Sequence, residues 1–188
     1  MDTTTHFIVL TGGPGVGKTT VLKELQKQGF KTVPEEARRI IKEQLDSNGD
    51  GLPWKNKAYY AKLMLIASSA RFVNETYDSS PLQPYVFFDR GIPDTLAYIE
   101  MEDLILEEKL LEEAKLHRYY NKVFILPPWK EIYENDSERK QTWEEAEATF
   151  KVMKKTYEHL GYEVIEIPKT TVKQRCQFIL ETLGLVHP

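Results

Sequence analysis

The chain has 188 residues, of which 41% are hydrophobic and 29% charged, as in a globular protein of about one domain. Its 25 basic and 29 acidic residues give a net charge of −4, which argues against a nucleic-acid-binding domain. The single cysteine excludes an internal disulfide framework and a multi-cysteine zinc site. Residues 1–5 do not resemble a signal peptide, and no apolar run is long enough to span a membrane. We therefore expect one cytoplasmic domain over residues 1–188.

Short apolar runs alternate with amphipathic segments along the chain. The first run, HFIVLT, is apolar at consecutive positions, as in a central parallel strand. The alternation predicts an α/β fold with a parallel sheet and helices on both faces. Cys176 falls on the apolar face of the last helix, which favours a place in the core over a role as nucleophile. The predicted strands are 6–11, 30–33, 85–88, 122–126 and 162–167, and the predicted helices are 19–28, 34–45, 54–77, two acidic segments between 94 and 120, 138–160 and 172–183.

The turn after the first strand carries the phosphate-binding motif G-x-x-x-x-G-K-[ST]. It follows a strand and opens a helix, so its glycines allow backbone N–H groups to surround a phosphate beside a positive helix end. We expect Lys18 to contact the β- and γ-phosphates of ATP and the Thr19 hydroxyl to bind Mg²⁺. An ordinary glycine turn is disfavoured because strand, spacing, lysine and threonine agree. The predicted nucleotide-binding residues are Gly12, Gly13, Pro14, Gly15, Val16, Gly17, Lys18, Thr19 and Thr20.

Acidic residues follow two other predicted strands. Asp89 and Arg90 come directly after the third strand, at the sheet edge where doubly wound folds bind ligands. We expect Asp89 to face Mg²⁺, directly or through water, and Arg90 to neutralise phosphate charge; the alternative is a surface turn. Glu35 and Glu36 follow the second strand. Either one of them accepts a proton from an acceptor hydroxyl, or both simply complement the N-terminus of a helix.

Two further basic segments are candidates for binding anions. Arg38 and Arg39 either bind an anionic acceptor or lie on a solvated helix face. The NDSERK segment belongs to a predicted lid over about 128–145, in which Arg139 would contact the phosphates. The alternative for this segment is a solvated helix start with Ser137 as its cap.

Two aromatic residues and four histidines also bear on the prediction. Trp54 and Tyr59 could line an acceptor pocket, but core packing is the preferred interpretation. The histidines show no metal-ligand spacing. We expect the basic residues important for function to cluster at the phosphate site. We expect the surplus of acidic residues to lie on helices away from that site.

Five stretches together resemble a known family: GGPGVGKTT, VPEEAR, FFDRGIPDTLAY, NDSERKQTWEEA and LGYEVIEIP. Over nearly its whole length the chain is similar to the AAA-type ATP-binding family of small stand-alone NTPases, whose layout is that of P-loop nucleoside and nucleotide kinases. The resemblance implies a three-layer α/β/α fold with a five-stranded parallel sheet of order 2-3-1-4-5. It also implies Glu35 as the acid after the second strand, Asp89-Arg90 as the DR motif and Arg139 in the lid.

Two related classes fit less well. The hexameric AAA+ machines carry an Asp-Glu pair where this chain has Asp89-Arg90, and they need a longer chain for their helical lid domain. Switch-type GTPases read guanine with Asn-Lys-x-Asp, and both Asn-Lys pairs of this chain lack the aspartate.

Two functions are consistent with these motifs. The first is an enzyme that transfers the γ-phosphoryl of ATP, with Mg²⁺, to a small and nucleoside-like acceptor. The second is a nucleotide-binding regulatory or switch NTPase with weak hydrolysis, whose lid or 54–77 helix engages a protein or lipid partner. The predicted catalytic residues are Lys18, Glu35, Asp89, Arg90 and Arg139, and the predicted metal ligands are Thr19 and Asp89.

Overall fold

A computed structural model describes residues 5–78, 80, 82–132 and 142–185. The strands are β1 (His6–Thr11), β2 (Lys31–Val33), β3 (Tyr85–Asp89), β4 (Lys122–Ile125) and β5 (Glu163–Glu166). They pair in parallel in the order β2-β3-β1-β4-β5, which confirms the predicted fold class and strand order. The carboxyl end of the central strand β1 therefore lies between the carboxyl ends of β3 and β4.

Helices cover both faces of this sheet. The described residues form α1 (Lys18–Lys27), α2 (Glu36–Asp46), α3 (Lys57–Tyr77), α4 (Ile92–Met101), α5 (Glu108–Lys115), α6 (Trp143–His159), α7 (Val172–Thr182) and a 3₁₀ turn at Lys130–Ile132. Helices α1 and α7 pack on one face, and α3, α4, α5 and α6 pack on the other. Helix α2 packs against α3. None of the helices within the described ranges has both the length and the apolar character needed to cross a membrane.

The central strand is buried on both sides, as its continuous apolar run predicts. Ile8 and Leu10 belong to the core cluster beneath α1 and α7, whereas Phe7 and Val9 belong to the cluster on the opposite face. Successive side chains of a strand point to opposite faces, so β1 joins the two cores. Cys176 lies in the cluster beneath α1 and α7, where burial raises the pKa of its thiol to about 11. Its predicted place in the core is confirmed.

The start of α3 differs from the prediction. The helix begins at Lys57 and not at Trp54, because the side chain of Asn56 accepts a hydrogen bond from the Tyr59 backbone N–H and caps the helix there. Trp54 is left in the preceding turn with 67% of its surface exposed, and Tyr59 is 41% exposed. The interpretation of these two aromatic residues as core residues is therefore wrong.

Two other helices also begin later than predicted. Helix α2 begins two residues after Pro34, because Glu35 keeps an extended backbone as its N-cap. Helix α6 begins after a capping box, in which Thr142 and Glu145 each bind the other's backbone N–H. This box fixes the N-terminus of α6 at Thr142. Ser137, the expected cap, lies outside the described residues.

Candidate nucleotide and acceptor site

The loop between β1 and α1 holds Lys18 in a buried position. The Lys18 ammonium donates hydrogen bonds to the carbonyl oxygens of Gly12 and Gly13, each at 2.8 Å. Burial lowers the pKa of Lys18 to about 7, and the neighbouring charge of Arg90 acts in the same direction. A bound polyphosphate would favour the protonated form. Thr19 and Thr20, in the first turn of α1, are exposed.

Gly12 stands where no larger residue fits. Its φ is +135°, and a Cβ atom built there would lie 2.6 Å from the carbonyl oxygen of Leu126. We expect Gly12→Ala to lower the free energy of unfolding by about 2 kcal/mol or more through backbone strain and the clash. Gly13→Ala is the matched control, because its Cβ would meet nothing within 4 Å. Urea denaturation measures both; equal stability of the two variants would contradict the prediction.

Asp89 lies beside the phosphate loop because β3 pairs with β1. It stands opposite Leu10 in the register, and its Oδ1 is buried without a hydrogen-bond partner among the described residues. Burial raises the pKa of Asp89, while the charge of Lys18 opposes that rise. An orphaned carboxylate oxygen suits Mg²⁺, which takes oxygen ligands and is often held by one or two side chains together with substrate phosphates. Asp89 therefore fits a magnesium ion by its chemistry, and Thr19 offers an exposed hydroxyl as a second ligand of the right type.

Arg90 is held between two carboxylates. Its backbone has a positive φ of 69°, and its N–H donates to the Leu10 carbonyl at 3.0 Å, which fixes the residue at the end of β3. Its Nε lies 2.7 Å from Glu35 Oε1, and its Nη1 lies 3.1 Å from Asp94 Oδ1. Burial disfavours the charged guanidinium, but the charges of Glu35, Asp94 and Asp89 outweigh it and raise the pKa of Arg90. Arg90 therefore stays charged, and its pairs with Glu35 and Asp94 hold the guanidinium in place.

Asp94 organises this region, although it is not among the predicted catalytic residues. Its buried carboxylate accepts hydrogen bonds from the Thr11 hydroxyl, the Gly91 backbone N–H at 2.8 Å and the Tyr157 hydroxyl at 2.5 Å. These donors come from β1, the start of α4 and α6, so the carboxylate ties three elements together. Only half of a capping box is present here, because Asp94 accepts the Gly91 backbone N–H while Gly91 has no side chain to cap the helix in return.

The Asp94 contacts predict a large stability effect. We expect Asp94→Asn to lower the free energy of unfolding by about 3 kcal/mol, because it removes one partner of a buried charge pair. Tyr157→Phe removes a single buried hydrogen bond to this carboxylate and should cost less, about 2 kcal/mol. Chemical denaturation compares the two variants. If Asp94→Asn costs no more than Tyr157→Phe, the charge of Asp94 does not stabilise the fold.

The structure distinguishes the two glutamates that follow β2. Glu35 pairs with Arg90, whereas the buried Glu36 pairs with Arg39 at 2.6 Å and with Arg71 at 2.8 Å. Arg39 also pairs with Glu43 and is exposed, which favours the solvated helix face over an anion-binding role for this residue. The neighbouring Arg38 is exposed and lies outside the wall of the cleft described next.

A cleft of about 380 Å³ opens next to Arg90, between α2, α3, α4 and α6. This volume lies in the range of small-molecule sites. Aromatic and methionine side chains form much of its wall, together with Glu35, Asp94 and Glu102. The acidic surplus is therefore not confined to helices away from the site, and that expectation is wrong. The apolar part of the wall includes Pro14, Tyr60, Met64, Tyr98, Met101 and Met153.

Arg175, on α7, binds the phosphate loop. It is not among the site residues predicted from the sequence. Its Nη1 donates to the Val16 carbonyl at 3.2 Å, and its Nε donates to the Thr170 carbonyl at 2.7 Å. The guanidinium lies over the Trp129 ring, 4.7 Å from its centroid. This buried arginine connects the phosphate loop with the loop after β5 and with the start of the predicted lid.

The proposed phosphate contact of the lid stays a prediction. Arg139 and the rest of residues 133–141 lie outside the described residues. The structure therefore brings together four of the five predicted catalytic residues: Lys18, Glu35, Asp89 and Arg90.

Comparison with known proteins identifies the family. A family model described as an AAA domain matches residues 7–175, which is most of the chain. The protein belongs to this family. No curated protein sequence matches the chain.

Solved structures match this AAA-domain protein over nearly its full length. A NadR protein in complex with NR matches with a TM-score of 0.74 and 18% identity, covering 98% of this chain and 52% of that one. Thymidylate kinase from Ehrlichia chaffeensis matches with a TM-score of 0.63 and 18% identity, covering 96% and 99%. Deoxyadenosine kinase from M. mycoides matches with a TM-score of 0.61 and 15% identity, covering 96% and 100%. The chain spans about half the length of the NadR chain, and identities this low show the fold alone, which is that of P-loop nucleoside and nucleotide kinases.

Proposed function

We propose that this protein transfers the γ-phosphoryl of ATP to a hydroxyl group of a small, nucleoside-like acceptor. The observation that carries the proposal is the position of the cleft. Its wall includes Pro14 of the phosphate loop together with Glu35 and Arg90, so an acceptor in the cleft would lie directly beside bound phosphates. Its volume admits a small molecule and not a macromolecule.

Each group near this junction has a distinct part in the proposed reaction. The backbone N–H groups of the phosphate loop and Lys18 bind the phosphates, which positions the γ-phosphoryl for attack. Glu35 uses Oε1 to pair with Arg90, which leaves Oε2 to accept the hydrogen bond, and then the proton, of the acceptor hydroxyl. Thr19 and Asp89 would hold Mg²⁺, which supplies positive charge that offsets the phosphates.

The experiment that tests this proposal measures phosphoryl transfer. The protein is incubated with ATP labelled in the γ-position and a panel of nucleosides, nucleotides and vitamins, and the labelled products are separated. We expect label on at least one nucleoside-like acceptor. Slow release of phosphate without transfer to any member of the panel would overturn the proposal.

One surface feature favours a second candidate function, that of a nucleotide-dependent binding module. Tyr59, Ile66 and Val73 are exposed apolar residues spaced seven apart on α3, and Tyr77 follows four residues later. Residues at these intervals share one face of a helix, and such faces often contact a partner protein. This candidate predicts partner binding that depends on nucleotide and survives Glu35→Gln. A partner that binds equally with and without nucleotide would count against it.

A further inference from the structure

We infer that the acceptor is an unphosphorylated, non-anionic ring compound rich in hydrogen-bond donors, and that the cleft rejects nucleoside monophosphates. This inference rests on the proposed function, because it names the chemical class of the acceptor in the same cleft. Three features of the cleft support it: its charge, its free hydrogen-bonding groups and the shape of its wall.

The charge of the cleft disfavours an anionic ligand. Its wall contains three carboxylates, those of Glu35, Asp94 and Glu102, and Arg90 is the sole cation among the described residues that line it. Arg90 already pairs with Glu35 and Asp94, and Glu102 pairs with Lys57. A phosphate group is normally bound by Arg or Lys side chains that lack another partner. A phosphorylated acceptor would therefore bring its charge against an acidic wall, and no cation without a partner is among the described residues that line it.

The hydrogen-bonding groups of the wall that lack a partner favour a ligand that donates hydrogen bonds. Thr95 Oγ1 and Tyr98 OH belong to residues of the wall. Both atoms are buried, and neither has a hydrogen-bond partner within the described residues. Burial, and next the charge of Glu102, raises the pKa of Tyr98 to about 12, so its hydroxyl stays protonated. Carboxylates only accept hydrogen bonds, and hydroxyls can accept as well as donate. Sugar hydroxyls and N–H groups supply the missing donors, which a phosphate dianion lacks.

The shape of the wall and its tyrosine and methionine side chains favour a ligand that contains a flat ring. Tyr60 and Tyr98 meet edge to face, with their ring centroids 5.8 Å apart, and Met64 and Met153 line the wall beside them. Aromatic faces and methionine thioethers pack well against flat rings. Ring and donor groups together describe a nucleoside, and the acidic wall disfavours its 5′-monophosphate, which differs from it by the charged phosphate.

The binding preference can be measured without catalysis. The protein is first saturated with a nonhydrolysable ATP analogue, so that only the cleft remains for the second ligand, and calorimetry then compares four ribonucleosides, their 5′-monophosphates and the anionic ring compound shikimate. We expect at least one nucleoside to bind ten or more times tighter than its monophosphate and than shikimate. Equal or tighter binding of the anions, or no nucleoside binding at millimolar concentration, would overturn the inference.

The proposed phosphoryl transfer and the proposed preference for a nucleoside can fail separately. If nucleosides bind preferentially but no phosphoryl transfer occurs, the proposed function is wrong and the preference of the cleft stands. If transfer occurs to a nucleoside monophosphate in preference to the nucleoside, the proposed function stands and this inference is wrong.

Tyr98→Phe tests the role of the unpartnered hydroxyl. We expect the variant to lose about tenfold in nucleoside affinity, the value of one buried hydrogen bond, with no loss of stability in the ligand-free protein. Tyr119→Phe is the matched control, since the Tyr119 hydroxyl accepts the Ile92 backbone N–H at 3.3 Å. The control should lower stability and leave the affinity of the folded protein unchanged. Unchanged nucleoside affinity in Tyr98→Phe would contradict the proposal that a donor group of the ligand binds the Tyr98 hydroxyl.

Glu102→Gln tests the charge of the wall. We expect the preference for nucleoside over monophosphate to shrink roughly threefold when one negative charge is removed. Glu107→Gln is the control, because Glu107 pairs with Lys62 of α3 at 2.6 Å much as Glu102 pairs with Lys57, yet Glu107 does not line the cleft. The same change in both variants, or no change in Glu102→Gln, would contradict an electrostatic origin of the preference.

Discussion

Replacing Lys18 with alanine is expected to abolish ATP binding while leaving the protein folded. Within the described residues the ammonium donates hydrogen bonds only to the carbonyls of Gly12 and Gly13, and burial lowers its pKa to about 7. Burial in the folded state therefore disfavours the charge of Lys18, which offsets the loss of these two hydrogen bonds, and its removal should leave the protein folded. Bound phosphates would form charge-assisted hydrogen bonds with this ammonium, so its loss should weaken ATP binding by about 100-fold or more.

Calorimetric titration with ATP measures this effect, and thermal unfolding reports on the fold. Lys23→Ala is the matched control, because Lys23 lies on the same helix and is exposed. The control should bind ATP normally. If Lys18→Ala fails to fold, the buried lysine has a structural role, and if it binds ATP as well as the parent protein, the phosphate site lies elsewhere.

Replacing Glu35 with glutamine is expected to remove phosphoryl transfer and preserve ATP binding. The carboxylate pairs with Arg90 and lines the cleft, and a glutamine of similar size keeps the shape but cannot accept a proton. Loss of a general base typically lowers a rate by about 10² to 10⁴. We expect a fall of this size in the transfer rate, with ATP affinity within about twofold of the parent protein because Glu35 does not touch the phosphates in the proposed reaction.

Glu36→Gln is the neighbouring control for this prediction. Glu36 is buried and pairs with Arg39 and Arg71, so its substitution should lower stability while the folded protein keeps its transfer activity. Measurement of transfer and unfolding for both variants distinguishes the two glutamates. The assignment of Glu35 is wrong if Glu35→Gln keeps full activity, or if Glu36→Gln stays folded and loses it.

The features that the sequence predicts well are those set by local patterns. The motif around Lys18 requires a strand before it and a helix after it, and both are present. Continuous apolar runs of four to six residues predict buried parallel strands, because they are rich in β-branched and aromatic residues and too short for a buried helix. The place of Asp89 and Arg90 beside the end of β1 follows from the strand order that the family resemblance implies, since β3 then pairs with β1.

The features that the sequence does not predict depend on contacts between distant segments. Asp94 accepts a hydrogen bond from Tyr157, which lies on α6, and local patterns do not show that α4 and α6 pack together. Glu35 and Glu36 are equivalent in the sequence, and they differ only because the extended N-cap points Glu35 towards Arg90 while the helix turns Glu36 towards α3. The acidic character of the cleft arises in the same way, from residues of several elements.

A crystal structure with a nonhydrolysable ATP analogue and a bound nucleoside tests the central claim most directly. The account predicts that the phosphates lie in the loop of residues 12–19 and that a nucleoside hydroxyl in the cleft lies within about 3.2 Å of the Glu35 carboxylate and faces the γ-phosphate. Phosphates bound away from Lys18, or a nucleoside whose hydroxyls all lie far from both Glu35 and the γ-phosphate, would contradict it.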